Sequence, residues 1–181
     1  MKLDLVLDEV QLPWRPTDDW TARARTMIAG VGTDDVAVQC VLTDDATLRE
    51  HNRSYRDRDA ATDVLSFSYL DGHEEHARDI LEGRRAVRDF LDEPVHEGED
   101  ALAGQILVSL QTLTARGALH AADLDGEVAF MMAHGFLHVI GFDHADDDAA
   151  AAMEAAENAL MRRGGFAVAT TPSDDLAGGP R

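Results

Sequence analysis

The sequence predicts a single α+β (α/β-like) domain, with a mixed four-stranded sheet packed against about five helices. Three observations carry this. Short β-branched runs of strand length alternate with helically spaced segments in the order β-α-β-α-β, an interruption, then β-α-α-α. The 181 residues, 45% hydrophobic, suffice for one core. No internal repeat divides the chain.

The elements follow in order. LDLVLDEV (3–10) alternates apolar and acidic residues and reads as a strand, ended before Pro13 and Pro16. Thr17 is placed to cap a helix through DDWTARARTMIAG, with two aspartates in its first turn and Gly30 at its end. VAVQCVLT (36–43) reads as a buried strand. Asp44 or Asp45 starts the helix DATLREHNRSYR, and VLSFSYL (64–70) is the third strand. Residues 71–100 are dense in charge, with Ile80, Val87, Phe90 and Leu91 at helical spacing, and read as a partly helical surface insertion that includes His73 and His76. GQILVSL (104–110) is the fourth strand. A helix follows through LTARGALHAA, with Gly117 as a weak point. Asp123 or Asp125 starts the next, EVAFMMAHGFLHVIG, whose core face is Val128, Met131, Met132, Leu137 and Ile140. Asp146 to Asp148 open the last helix, which closes on Arg162 and Arg163. The domain is thus expected over 1–163, with a flexible tail over 164–181 rich in Gly, Thr, Ser, Asp and Pro.

Composition narrows the function. No apolar run approaches the roughly 20 residues that cross a bilayer, and the start lacks the basic and continuous apolar regions of a signal peptide. A cytoplasmic protein without membrane partners is expected. Cys40 is the only cysteine, which excludes an intrachain disulfide and a cysteine-based metal site. Its apolar surroundings mark it as packing. The net charge of −19 opposes general binding to a phosphate backbone, so any nucleic-acid contact needs locally concentrated cations. These are almost all arginines, since Lys2 is the only lysine, and arginine suits bidentate phosphate contacts.

The chemistry concentrates in HGFLHVIGFDH (134–144). His134 and His138, four apart, share a helix face, Gly141 lets the helix stop in a left-handed turn, and His144 can return as a third ligand. Three imidazoles leave a fourth tetrahedral position open, as in catalytic rather than structural zinc sites. A core or surface role suits a lone histidine, but three in this register with a glycine at the stop favour metal binding and make this a metzincin-like metal helix of the predicted fold. His51, His73, His76, His96 and His120 form no such pattern. Asp143 is placed to support a ligand histidine or to shape the turn. Zinc proteases with this spacing carry a glutamate base after the first histidine, and here that position is Gly135. A metal can still lower the pKa of water to about 7. Zinc fits three imidazoles, as do nickel, copper and cobalt.

A second segment, NRSYRDRDAATDVLSF (52–67), holds Arg53, Arg56 and Arg58 before a strand. Ion pairing with Asp57 and Asp59 is their ordinary role, and presenting one arginine to a phosphate is the functional one. Together the two segments resemble a known family. HGFLHVIGFDH matches H-G-x-L-H-x-x-G-x-D-H throughout. Asn52, Arg56, Thr62, Asp63, Val64, Leu65, Ser66 and Phe67 match N-x-x-x-R-x-x-x-x-x-T-D-V-L-S-F. Both patterns are those of the YbeY endoribonucleases of bacterial rRNA maturation, and the resemblance runs over roughly residues 36 to 163. It implies a zinc-dependent endoribonuclease with Zn2+ at His134, His138 and His144, and Arg56 as the catalytic arginine stabilising phosphate charge. It also implies single-stranded rRNA as substrate, 16S rRNA 3′-end maturation and ribosome quality control as the setting, and the small ribosomal subunit as partner. Two positions depart from the family: Gln105 stands where the fourth strand carries an acid, and Ser68 where a proline ends the third.

Two other readings compete. A metzincin-like peptidase or amidase is disfavoured by Gly135 and by the lack of a downstream methionine turn, Met153 falling within a helix. A metal-stabilised, non-catalytic factor docking on the ribosome or an assembly GTPase would use the acidity to bind a basic protein.

Overall fold

A computed structural model describes residues 1–31, 36–91, 101–120 and 123–168. Four strands form one mixed sheet: β1 (Lys2–Leu7), β2 (Val36–Thr43), β3 (Val64–Ser68) and β4 (Ala101–Ser109), in the spatial order β1-β2-β4-β3. β1, β2 and β4 are parallel, and β3 runs antiparallel along β4, with Val64 opposite Val108 and Phe67 opposite Gln105. Among the described residues there are six α-helices: α1 (Asp18–Ile28), α2 (Asp45–Arg56), α3 (Ala77–Leu81), α4 (Leu110–His120), α5 (Leu124–Val139) and α6 (Asp147–Arg163). The expected α+β class and element order hold, and α3 is the helix beyond the five expected.

Local chemistry sets the helix starts. Thr17, Asp44, Asp123 and Asp146 each occupy an N-cap and accept a backbone N–H of the first turn. Acids in the first turns of α1 and α6, and arginines in their last, complement the helix dipole. α4 begins directly where β4 ends and runs through Gly117.

Each sheet face meets different helices. Val36, Val38, Cys40 and Leu42 of β2 and Ile106 and Val108 of β4 point into the main core with α1, α5 and α6. Burial pushes the Cys40 thiol up to about 12, so it stays an inert packing group. On the opposite face, Leu48 of α2 covers Leu65 and Leu107, with Val41 and Phe67 at the margin. Beyond them lies a polar row: Gln105 Nε2 donates to Gln39 Oε1 (2.6 Å), and Gln39 Nε2 donates to Asp4 Oδ2 (2.9 Å). Gln105 therefore completes an amide chain across three strands.

The strand ends differ from expectation for visible reasons. Asp8 leaves β1 with its carboxylate accepting from the Glu9 backbone and the Thr43 hydroxyl. β3 stops at Ser68, whose hydroxyl donates to the Val139 carbonyl (2.8 Å) and accepts from Leu70 N–H (3.3 Å). The serine thus ends the strand and caps the end of α5.

The described part of the 71–100 segment is anchored as well as charged. Ile80 and Val87 are fully buried, and Leu70 bridges to Leu91. His73, expected on the surface, is buried beneath the end of α5, where its Cδ2 sits against Gly141. The apolar residues at helical spacing carried this histidine inward with them. His76 is half-buried beside Phe90. Residues 92–100 and 169–181 fall outside the described residues, whereas Phe166 is buried beside Trp20 and beneath Arg23.

Candidate metal centre

Helix α5 is buried from Val128 to Val139 on nearly all sides. Two tryptophans from the first part of the chain fix its start. Trp20 Nε1 donates to the Asp125 carbonyl (3.0 Å) and Trp14 Nε1 to the Asp125 carboxylate (2.7 Å). Its middle lies directly on β3 and β4. A Cβ at Gly135 would stand 2.6 Å from Ile106 Cγ2 and 2.8 Å from Ser66 Oγ. A Cβ at Gly104 would stand 2.4 Å from the Phe67 carbonyl and 2.7 Å from Val139 Cγ1. The position where zinc proteases carry their base therefore faces the sheet at a distance that admits no side chain.

With Gly135 on the sheet, His134 and His138 fall on the adjoining face of the helix. Their Nε2 atoms lie 3.2 Å apart, with ring centroids at 4.7 Å. Gly141 adopts φ +99°, as its place at the helix stop requires, and the chain turns back. His144 then lies 5.9 Å from the His134 ring and 5.3 Å from the His138 ring, centroid to centroid. One ligand atom from each histidine falls within 4.8 Å of the other two, close enough to hold one ion. His134 is buried, His138 is half-buried and His144 is exposed, so the cluster opens to solvent on the His144 side.

The supporting carboxylate is Glu157 of α6, which the sequence reading did not single out. It is buried, and its Oε1 lies 2.8 Å from His134 Nδ1. This contact places the proton on Nδ1 and leaves Nε2 free as a ligand. Asp143, the candidate for this role from its position beside His144, instead accepts from the His144 backbone N–H (2.8 Å) and shapes the turn. In sequence, Glu157 is one acid among many on an alanine-rich helix. The usable signal was its spacing from Met153, Leu160 and Met161, which places it on the buried face.

Burial, reinforced by the neighbouring His134 and His144, lowers the pKa of His138 from 6.5 to about 4. Its folded-state value is depressed, so neutral His138 is favoured in the fold. The stability this provides is complete above the unfolded value of 6.5 and is lost as pH falls towards 4. Urea unfolding of metal-free protein is expected to show its midpoint falling through this window. His138→Ala should flatten that dependence, and an unchanged pH profile in the variant would overturn the assignment.

Among the described residues, no hydrogen bond or ion pair joins Arg56 to this cluster. It is the last residue of α2, on the sheet face opposite α5, exposed and without a hydrogen bond or ion pair among the described residues. The ion pairs expected for the arginine run go elsewhere. Asp59 is gripped bidentately by Arg49 (2.7 and 2.8 Å), leaving Arg53, Arg56 and Arg58 exposed. Asn52 is buried and ties down the turn: its side chain donates to the Ala60 carbonyl (2.8 Å) and its own carbonyl accepts from Arg58 N–H (3.3 Å). Arg116 of α4 joins the two regions, with one nitrogen on Asp63 before β3 and another on Glu127 of α5, both at 2.9 Å. His51 lies on α2 and His73 beneath α5, while His96 and the side chain of His120 fall outside the described residues.

The family model described as endoribonuclease YbeY matches residues 13–165. The chain belongs to the YbeY family. Among curated members it is 36% identical to endoribonuclease YbeY of Moorella thermoacetica over 143 residues, covering 76% of this chain and 81% of that one. It is 35% identical to that of Symbiobacterium thermophilum over 133 residues, 74% of each chain. The fold also matches the solution structure of a Thermotoga maritima protein with a TM-score of 0.51 at 17% identity, over 99% of both chains. The matched region spans the histidine cluster, Glu157 and the arginine turn. Among the described residues, no helix is long and apolar enough to cross a membrane.

Proposed function

We propose that this YbeY-family chain is a cytoplasmic, zinc-dependent endoribonuclease that cleaves single-stranded rRNA in 16S 3′-end maturation and ribosome quality control, working with the small ribosomal subunit. The observation that carries the proposal is the gathering of His134, His138 and His144 on the family scaffold, with Glu157 already holding the first imidazole in its ligating form. The donor set fits a divalent ion. Three histidines suit zinc, and burial favours the neutral, ligating form of His138. His134, His138 and His144 would hold such an ion, which would supply Lewis acidity to a phosphate.

The chain's own residues do the rest. Glu157 orients His134, and the turn at Gly141 delivers His144. Arg56 offers guanidinium donors, without an acidic partner among the described residues, to charge building on the non-bridging phosphate oxygens. Since α2 and α5 lie on opposite faces of β3, an RNA strand engaging both passes over the β3 edge of the sheet. Gly135 argues against the peptidase reading on steric grounds, since the proteolytic carboxylate has no room there.

Metal analysis alongside cleavage of an rRNA precursor tests the proposal. Arg56→Glu is expected to abolish cleavage and leave metal content intact, while His138→Ala should lose both. Peptide hydrolysis by the loaded protein with the precursor untouched would revive the peptidase reading. Ribosome binding that survives His138→Ala, with no turnover in the parent, would favour the non-catalytic factor.

A further inference from the structure

We propose that Tyr55, braced by His51 and Phe67, is a stacking platform for an unpaired base of the RNA substrate. The substrate class rests on the reading above, and the platform itself rests on three observations. First, Tyr55 is 69% exposed, the most exposed large hydrophobic side chain among the described residues. It lies on α2 one residue before Arg56, where burial does not call for an aromatic ring.

Second, the ring is held in place. His51, one turn earlier, stacks on it at 6.0 Å with 22° between planes, and Phe67 of β3 meets it edge-on at 5.1 Å. A braced ring loses little freedom when a base lands on it. Stacking tolerates any base and is how proteins hold single strands whose bases are splayed out.

Third, the charge around it is selective. In a chain of net charge −19, Arg53, Arg56 and Arg58 neighbour this ring in sequence, exposed and without a salt bridge among the described residues. The nearby Asp59 is neutralised by Arg49. A flat aromatic surface beside unpaired guanidiniums matches a base and its phosphates. A duplex, whose bases are already stacked, cannot use the ring.

Equilibrium binding of a labelled single-stranded 2′-O-methyl oligonucleotide to the zinc-loaded chain tests this. Tyr55→Ala is expected to weaken binding roughly tenfold, and Tyr55→Trp to retain it. Duplex binding and zinc content should be unchanged in both. Parental binding in Tyr55→Ala, Tyr55→Trp as weak as Tyr55→Ala, or a parent that does not bind single strands would each overturn the platform. A parent whose binding depends on Tyr55 but which leaves rRNA precursor intact keeps the platform and sinks the nuclease reading. A Tyr55→Ala variant that binds and cleaves like the parent does the reverse.

Discussion

Replacing Glu157 with alanine is expected to weaken metal binding by roughly 10- to 100-fold, the usual effect of removing a carboxylate behind a ligand histidine. The geometry makes Glu157 the only support His134 Nδ1 has among the described residues, at 2.8 Å and out of water. Alanine leaves that N–H buried and unpaired, which costs about 1–3 kcal/mol in its own right. It also allows the imidazole to rotate or to change tautomer. Glutamine separates the two effects. Its carbonyl can still accept from Nδ1, so fold stability should be largely kept, while the loss of negative charge lowers the basicity of Nε2. Zinc titration calorimetry is expected to order the affinities as parent, Glu157→Gln, Glu157→Ala. Equal affinities in all three would show that α6 only packs against α5.

The second large effect is expected at Gly135. Glycine in a helix interior normally costs about 1 kcal/mol relative to alanine, so Gly135→Ala would stabilise an ordinary helix. Here the new methyl falls 2.6 Å from Ile106 Cγ2 and 2.8 Å from Ser66 Oγ. Carbon atoms pack best at roughly 3.5–4.0 Å, so α5 or β4 must move by about an ångström. Overpacking of this kind costs about 1–3 kcal/mol, enough to reverse the sign. Gly135→Glu, which restores the protease pattern, adds a buried carboxylate without a partner and is expected to cost more than about 4 kcal/mol. Urea midpoints should fall in the order parent, Ala, Glu. A Gly135→Ala variant more stable than the parent would contradict the close approach of helix and sheet.

The fold and the gathering of the three histidines were legible in the sequence because both rest on local rules. The caps at Thr17, Asp44, Asp123 and Asp146 sit beside the runs they start, and the i, i+4 histidines with Gly141 specify their own geometry. Long-range contacts were not legible. Glu157 becomes a partner of His134 only when α6 folds back on α5, whereas Asp143 looked better placed because it is adjacent in sequence. His73 appeared exposed because its neighbours are charged, but the buried Ile80 and Val87 carry its segment onto the core. The reason for Gly135 lies in Ser66 of β3 and Ile106 of β4, far from it in sequence. Similarly, Asp59 could have paired with any of several arginines, and only the fold assigns it to Arg49.

The three clustered histidines and the carboxylate on His134 come from residues 134–157, one helical hairpin in which α6 packs against α5. In folding terms the centre closes short loops, whereas placing Arg56 and Tyr55 requires the sheet, with β4 inserted between β2 and β3. On the proposed function, metal uptake therefore reports on the hairpin, and RNA cleavage reports on the whole chain. A preparation would then carry its full complement of metal and still be inert, which would make metal content alone a poor measure of how much protein is native.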